Sequence, residues 1–420
     1  MDNRLTIYRK FMLVIGLMIG LIIVIIICTD RAFASGRDSV KTHRIGQVTF
    51  IYPLGTNGIH SANYINGFSI NMLGGISGGT AGFETAGLVN IDLGGVRGFQ
   101  GSGIANIVSG PVAGFQGSGM INQARGDFKG FQAAGLVNVD QGKVTGFQGA
   151  GLVNVTLKDS KGINAAGIAN MNQGMVTGAQ LGGCVNITLG DQKGLQAAGL
   201  VNVAGENLKG LQAAGIANVA VKEMKGLQAG GIVNYAGNLH GIQLGFINYA
   251  DTVSKGIPLG FISVVRHGYR RVELEFNETL YGNITFKTGT SRLYNIFSVG
   301  YRVKDDQMVW GVTYGLGTLI PVNQSISINV DLTSTHLNED EAWTSTVNSL
   351  NRLKVNGSFL LGKRLELFAG VSMNLMASRL TDSEGHPTGS ILTPDFHFYE
   401  STIHWTHVTM YPGINAGIRF

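Results

Sequence analysis

The sequence predicts an all-β protein, with a β-solenoid of 16-residue repeats, or failing that an antiparallel meander, followed by an eight-stranded antiparallel β-barrel. Asn recurs every 16 residues from Asn90 to Asn234. Gly is abundant, with 63 residues in 420, whereas Pro occurs only 7 times. From Tyr269 onward this repeat stops, and apolar and polar residues alternate as they do in half-buried strands. Fixed-period self-similarity is the signature of a repeat architecture.

The composition excludes several protein classes. With 14% charged and 44% hydrophobic residues, the chain is too apolar for a disordered protein, and its Gly lacks the every-third spacing of collagen. The 31 basic and 26 acidic residues are spread thinly and form no run that would attract a polyanion. We therefore expect no nucleic-acid partner.

The amino terminus reads as an export signal. Arg4, Arg9 and Lys10 precede an apolar run from Phe11 to Cys28, and Ala32-Phe33-Ala34 supplies a cleavage site after Ala34. The run of 18 residues is also about long enough to span a bilayer, so an uncleaved anchor is the alternative. The predicted division is a signal peptide at 1–34, a linker or cap at 35–57, the repeats at 58–264 and the barrel at 265–420.

The repeat unit reads G-F-Q-x-A-G-L-V-N-V, as in Gly130 to Val139, followed by six variable residues rich in Gly, Asn, Asp and Lys. Sixteen residues are too few for a helix pair and suit two short strands with turns. In a stack of such units each Asn lies above the next Asn and each Gln above the next Gln, so their amides can bond as ladders. The predicted ladder residues are Asn106, Asn122, Asn138, Asn154, Asn170, Asn186, Asn202, Asn218, Asn234, Gln116, Gln132, Gln148, Gln196, Gln212 and Gln228.

These motifs resemble a bacterial surface-repeat family. Its units carry the G-L-V-N and G-F-Q signatures, which stand here as Gly135-Leu136-Val137-Asn138 and Gly146-Phe147-Gln148. The resemblance covers about half of the chain. It implies an exported envelope protein of undefined activity, with no catalytic residues to carry over.

Strands with regular alternation fill the carboxy-terminal part. Leu365, Leu367, Ala369, Val371, Met373 and Leu375 fall on one face of a strand, and Ile326, Ile328, Val330 and Leu332 do so in another. A membrane barrel and a soluble sandwich both satisfy this pattern. The eight candidate strands are 271–287, 292–303, 308–320, 324–334, 349–361, 364–377, 392–403 and 408–420.

Two further features favour a membrane barrel. The last strand, ending in Ile418 and Phe420, resembles the carboxy-terminal insertion signal of outer-membrane barrels, which implies outer-membrane lipid and the barrel-assembly machinery as partners. Aromatic residues also stand near strand ends, as an interfacial girdle requires: Tyr301, Trp310, Tyr399, Trp405 and Tyr411. A barrel of this topology would place the repeats in the periplasm, whereas the family resemblance suggests the surface, so the side of the membrane stays open.

No residue pattern predicts catalysis, a cofactor or a metal. His397, His404 and His407 are close in sequence but do not share one strand face. The repeat acids Asp92, Asp140, Asp159 and Asp191 are expected in variable turns without a partner, so the protein is not expected to be an enzyme. Cys184 replaces the Leu, Ile or Met of sister repeats, which predicts a small buried apolar residue.

The function expected from the sequence is that of an exported, outer-membrane-anchored envelope protein. Its role would be structural or adhesive, with an envelope or host-surface ligand as a further partner. The alternatives are a periplasmic or secreted glycan-active or glycan-binding solenoid with a soluble β-sandwich, and a single large barrel that conducts solutes. Short repeat strands count against the last alternative, because a membrane strand needs about 9–11 residues.

Overall fold

The computed structural model describes residues 41–304, 307–362, 365–381 and 385–420. The predicted signal peptide at 1–34 lies outside this part of the chain. A 25-stranded sheet and a 9-stranded antiparallel sheet contain the described strands, and one 3₁₀ helix spans Gly58–Asn63. Within the described residues, no helix has the length and apolar character needed to cross a membrane. The repeats pair in parallel, which confirms the solenoid and excludes the meander.

The chain divides into two compact units, Met1–Gly182 and Gly183–Phe420. The strands of the first unit are β1 Thr42–Ile51, β2 Leu54–Gly55, β3 Tyr64–Ser77, β4 Gly79–Ala86, β5 Val89–Asp92, β6 Val96–Ser102, β7 Ala105–Val108, β8 Val112–Ser118, β9 Ile121–Ala124, β10 Phe128–Ala134, β11 Val137–Asp140, β12 Val144–Ala150, β13 Val153–Thr156, β14 Ser160–Ala166, β15 Ala169–Asn172 and β16 Val176–Gly182.

The second unit contains further solenoid strands and the whole antiparallel sheet. Its strands are β17 Val185–Thr188, β18 Gln192–Ala198, β19 Val201–Ala204, β20 Leu208–Ala214, β21 Ala217–Gly230, β22 Val233–Leu244, β23 Ile247–Val253, β24 Ile257–Leu259, β25 Ile262–Val265, β26 Tyr269–Asn277, β27 Gly282–Gly289, β28 Tyr294–Lys304, β29 Gln307–Pro321, β30 Ile326–Glu339, β31 Asn348–Leu361, β32 Leu365–Ser378, β33 Tyr399–Ile403 and β34 Thr406–Arg419.

A typical solenoid turn consists of one 7-residue and one 4-residue strand, such as β10 and β11. Each strand pairs with its equivalent one repeat away, so Phe131 lies beside Phe147. Gly130 has a φ of +135°, and a Cβ there would lie 2.0 Å from the carbonyl oxygen of Gly114. Only glycine fits, because its backbone adopts this conformation and lets adjacent turns approach. The repeat glycines thus set the close spacing of the turns.

The antiparallel sheet closes on itself. Strand β26 pairs with β27 on one side and with β34 on the other, and the order runs from β26 through β32 to β34. These eight strands form the closed circle, and β33 is an additional short strand on β34. The apolar positions predicted on β30 and β32 face outward, as at Val371, which is 62% exposed.

Two predicted strand boundaries are wrong. Segment 271–287 is two strands, β26 and β27, because the Asn277 side chain accepts hydrogen bonds from the N–H groups of Thr279 and Leu280 and fixes a turn. The predicted strand 392–403 contributes only Tyr399–Ile403, outside the closed circle. The circle of eight therefore has a different membership from the eight strands expected.

The last solenoid turn is bonded to one end of the closed sheet. The N–H of Ser263 donates to the side-chain oxygen of Asn295 at 2.9 Å, and the Asn295 amide donates to the carbonyl of Gly260 at 2.9 Å. The Phe261 ring stacks on Tyr314 at 4.7 Å. The short turns 290–293 and 322–325 lie at this end, whereas the opposite end has the short turn 278–281 and the longer connection 340–347.

Candidate functional site

The Asn residues of the repeat form a buried ladder. Asn138 donates one amide hydrogen to Asn154 at 2.9 Å and accepts one from Asn122 at 3.0 Å. Its second amide hydrogen goes to the carbonyl of Gly149 at 2.6 Å. Because both donors and the acceptor are used, a polar side chain is accommodated in the interior at little cost.

The Gln residues form a second ladder with the opposite direction of donation. Gln132 donates back to Gln116 at 2.9 Å and accepts from Gln148 at 3.0 Å. The second unit contains the same arrangement, in which Gln228 donates to Gln212 at 2.8 Å. Where Asn164 replaces Gln, the shorter side chain bonds to Ser160 and Asn172 instead.

All the predicted ladder residues lie in the solenoid interior, with at most 1% of each exposed. The Asn ladder also continues past the ends of the strict 16-residue register. Asn71 donates to Asn90 at 3.0 Å across a spacing of 19, and Asn234 donates to Asn248 at 2.9 Å across a spacing of 14. These amides have bonding partners within the fold and are not accessible to a ligand.

Two acids expected in turns are instead buried. Asp140 is fully buried on the last position of β11 and accepts bonds from Gln132 and Gln148. Asp92 is also fully buried, beside Glu84, and both accept from Gln100. The prediction failed because the four-residue strand extends through this position, whose side chain points inward as at Asn138. Asp159 does lie in a turn, and its carboxylate accepts the N–H of Met175 at 3.1 Å.

Burial changes the pKa values of Asp140 and Asp92. Burial raises the pKa of Asp140 to about 7, although the hydrogen bonds from Gln132 and Gln148 lower it. Burial, followed by the negative charge of Glu84, raises the pKa of Asp92 well above its usual range. Both carboxyls lie in the solenoid interior, out of reach of a substrate, and their ionisation at neutral pH carries a cost in stability.

The outward side of the first unit presents apolar rows that the sequence analysis overlooked. Phe83, Phe99, Phe115, Phe131 and Phe147 stack in succession, with ring centroids 4.6–5.4 Å apart. The recurring F of G-F-Q was the available signal, because parallel in-register pairing must place these rings side by side.

Cys184, predicted to be buried, is a half-buried free thiol.

The interior of the closed antiparallel sheet is charged. Lys287 lies 3.0 Å from Glu273 and 2.7 Å from Asp331, and all three side chains are fully buried. Arg419 contacts Glu273 at 2.5 Å and Glu366 at 3.0 Å. Further along, Lys354 and Glu275 form a buried pair at 2.7 Å, and Arg352 lies 3.6 Å from Glu278. Ion pairs therefore fill much of this space, and the same inward faces also carry a buried apolar cluster that includes Leu337, Leu350 and Met376.

The exterior of the same sheet is apolar. A row of cross-strand neighbours around the middle of the sheet runs from Val355 to Val371 and on to Ile414, and these side chains are 42%, 62% and 70% exposed. A groove on the exterior between β26, β27, β28 and β34 is lined by Phe276, Tyr281 and Tyr301 among others. Exposed apolar surface of this extent marks a contact with lipid or with another protein.

The predicted insertion-signal residues lie on the outward face. Ile418 pairs in register with Leu274 and Leu367, and Phe420 is 54% exposed and exchanges backbone hydrogen bonds with Val272. The girdle prediction is wrong for Tyr411, whose side chain is buried in the interior and whose hydroxyl lies 3.3 Å from that of Thr279.

The three neighbouring histidines do not converge as a set. His397 and His407 each contact the Glu400 carboxylate, at 2.9 and 3.0 Å, whereas His404 lies in the β33–β34 turn with a φ of +46°. Among the residues that the structure describes, no group of three or more His, Cys, Asp or Glu side chains could hold a metal ion.

Comparison with protein-family models, curated proteins and solved structures finds no match to this chain.

Proposed function

We propose that the protein is an exported envelope protein whose closed antiparallel sheet is an eight-stranded barrel in the outer membrane, with the solenoid as a structural or adhesive module attached to it. The observation that carries this proposal is the polarity of the sheet. Its exterior exposes Val355, Val371 and Ile414, whereas its interior buries Lys287 and Arg419 with their carboxylate partners. An apolar exterior around a polar interior is the arrangement that lipid requires.

The filled interior also argues against the two alternative functions, a soluble sandwich and a pore. A soluble sandwich needs an apolar layer between two sheets, and here the enclosed space contains buried ion pairs. Solute conduction needs an open lumen, and Arg419, Tyr294 and Tyr411 fill the interior with less than 2% of each side chain exposed. An eight-stranded barrel is filled by its side chains in the same way. We therefore favour an anchor over a pore.

The lengths of the turns indicate which end of the barrel faces the periplasm. Short turns of outer-membrane barrels face the periplasm and long loops face outward. The last solenoid turn is bonded to the short-turn end through Ser263 and Asn295. On this basis the solenoid turns of the second unit belong to the periplasm, and the partners of the repeats are envelope components rather than host surfaces.

A matched pair of substitutions tests the barrel. Val371→Arg places a charge in the middle of the apolar exterior, which costs about 2–4 kcal/mol in lipid, whereas Val322→Arg changes an exposed turn residue at the periplasmic end. The full chain is refolded into phospholipid vesicles, and the folded fraction is read from its migration before and after boiling. We expect Val371→Arg to lower this fraction and Val322→Arg to preserve it. Equal folding of both variants, without any need for lipid, contradicts the proposal.

A further inference from the structure

The strongest unassigned feature is a flat apolar face on the first unit, which we call the Phe face. It consists of the Phe row (Phe83, Phe99, Phe115, Phe131 and Phe147) and an aliphatic row (Leu88, Ile104, Met120, Leu136 and Leu152). Small residues such as Gly117 and Ala133 lie between the two rows. The members are partly exposed, with Phe131 at 43% and Leu88 at 42%.

We infer that the Phe face is a docking surface for a second copy of this chain. Its size supports this partner. Seven of its ten side chains are 38–45% exposed and the other three are half-buried, so with areas of up to about 150–250 Å² each they leave roughly 500–900 Å² of apolar surface. Such a patch lies at or above the upper end of the roughly 300–600 Å² that is typical of the largest patch on a monomer. It matches the surface of about 800 Å² that each partner buries in a stable interface.

The shape of the face also fits a copy of itself. A Cβ on Gly117 would lie 2.8 Å from the Phe115 ring, because each ring lies across the small residue two positions later. These rings therefore lie over the small residues rather than standing out from the face, which leaves the Phe face flat at these positions. Flat sheet faces pack against each other at about 10 Å.

The charge distribution fits a partner whose own contact surface is uncharged at its centre, as the Phe face is. The Phe row, the small residues and the aliphatic row contain no charged side chain in these five turns. The cations Arg97, Lys129 and Lys161 lie in the neighbouring row, at the edge of the face, and are exposed. An uncharged centre with a charged rim can be buried without desolvating an ion, and it is the usual anatomy of a protein interface. An anionic polymer would instead require cations among the central rows.

The test measures the mass of the purified full chain, kept soluble in amphipol, by light scattering over a range of concentrations. Phe99→Lys with Phe131→Lys introduces two charges into the centre of the face. The matched control, Ser109→Lys with Gln173→Lys, adds the same charges in a turn row where Arg125 already lies. We expect a dimer for the wild type and the control, and at least a tenfold weaker dimer for the Phe-row variant.

A cross-linking measurement locates the contact. Gly117 lies in the middle one of the five turns, so it faces its own equivalent when the two-fold axis passes through the centre of the Phe face. In a background of Cys28→Ser and Cys184→Ser, Gly117→Cys should cross-link with a short bis-maleimide, and Ser109→Cys should not.

Three results overturn the inference. They are a monomeric wild type, a dimer unaffected by the Phe-row substitutions, and binding to vesicles or peptidoglycan that depends on the Phe row in a monomeric protein. Circular dichroism of each variant shows whether it folds, and a Phe-row variant that fails to fold leaves the cross-linking of Gly117→Cys as the deciding measurement.

Discussion

Replacing Asp140 with Asn should stabilise the solenoid at neutral pH. Folding moves the pKa of this carboxyl from 3.8 to about 7, mainly through burial. An acid whose pKa rises on folding is protonated more tightly in the folded state, so its ionisation opposes folding. Below about pH 4 both states are protonated and the penalty is absent. It grows as the pH rises from 4 to 7 and then stays constant.

The structure sets the size of this effect. A shift from 3.8 to about 7 corresponds to at most about 4 kcal/mol, at 1.36 kcal/mol per pH unit. The amide introduced by Asp140→Asn has a single acceptor oxygen, and its NH₂ group would be buried without a partner, as that of Asn172 is, which costs about 1 kcal/mol. We therefore expect Asp140→Asn to gain about 3 kcal/mol at pH 8, and to be neutral or slightly destabilising at pH 4.

The repeat contains a natural control. Asn172 lies in register two turns after Asp140, and its oxygen accepts from Asn164 at 3.2 Å and Gln180 at 3.1 Å. Asn172→Asp therefore recreates the buried acid in another turn. It should be less stable than wild type at pH 8 and approach wild type as the pH falls.

Hydrogen exchange measures the local effect. Peptides covering β10 to β13 report the opening free energy of these turns after correction for the intrinsic pH dependence of exchange. At pH 8 the Asp140→Asn variant should exchange about 100-fold more slowly, as a gain of about 3 kcal/mol implies. The reasoning is refuted if the two variants show the same pH dependence as wild type, or if Asp140→Asn is the less stable protein at pH 8.

Three further substitutions test other parts of the fold. Gly130→Ala should prevent correct stacking, since its Cβ would lie 2.0 Å from a carbonyl oxygen. Gly149→Ala should be tolerated, because only a movable Phe ring is near its Cβ. Thermal melting followed by circular dichroism compares the two variants. Asn138→Ala leaves buried ladder groups unpaired and should lower the local opening free energy, measured by hydrogen exchange, by about 2–4 kcal/mol. For the control Asn207→Ala, at an exposed position, the loss should be less than about 1 kcal/mol. Lys287→Met leaves two buried carboxylates without their shared cation and should lower the free energy of unfolding by about 3–5 kcal/mol. Urea unfolding monitored by tryptophan fluorescence measures this change. An unchanged midpoint would contradict the buried network.

The solenoid could be predicted from the sequence because its register is periodic. The 16-residue spacing determines which residues stack, and the recurrence of Asn138 and Gln132 in apolar surroundings indicates amides that bond to one another. What the spacing does not determine is where each strand ends. Asp140 was expected in a turn, but β11 extends through it and its side chain points inward.

The closed sheet was harder to predict, because one of its turns depends on a single side chain and its inward-facing contacts depend on pairings distant in sequence. The turn after Asn277 is fixed by a local side-chain hydrogen bond within a segment that alternates like a strand. Tyr411 alternates like a girdle residue, but its place in the interior follows from the pairing of β34 with β32. The ion pairs of Lys287 and Arg419 join residues up to 146 positions apart, a separation that no local pattern reveals.

The central claim is that the closed sheet spans the outer membrane. The most direct measurement is electrophoresis of the washed outer-membrane fraction from a bacterial host that expresses the full chain, with unheated and boiled samples side by side. We expect the protein in this fraction, and we expect it to migrate differently after boiling, because the closed sheet resists detergent until it is heated. A protein found in the soluble fraction, with the same migration in both samples, would contradict it.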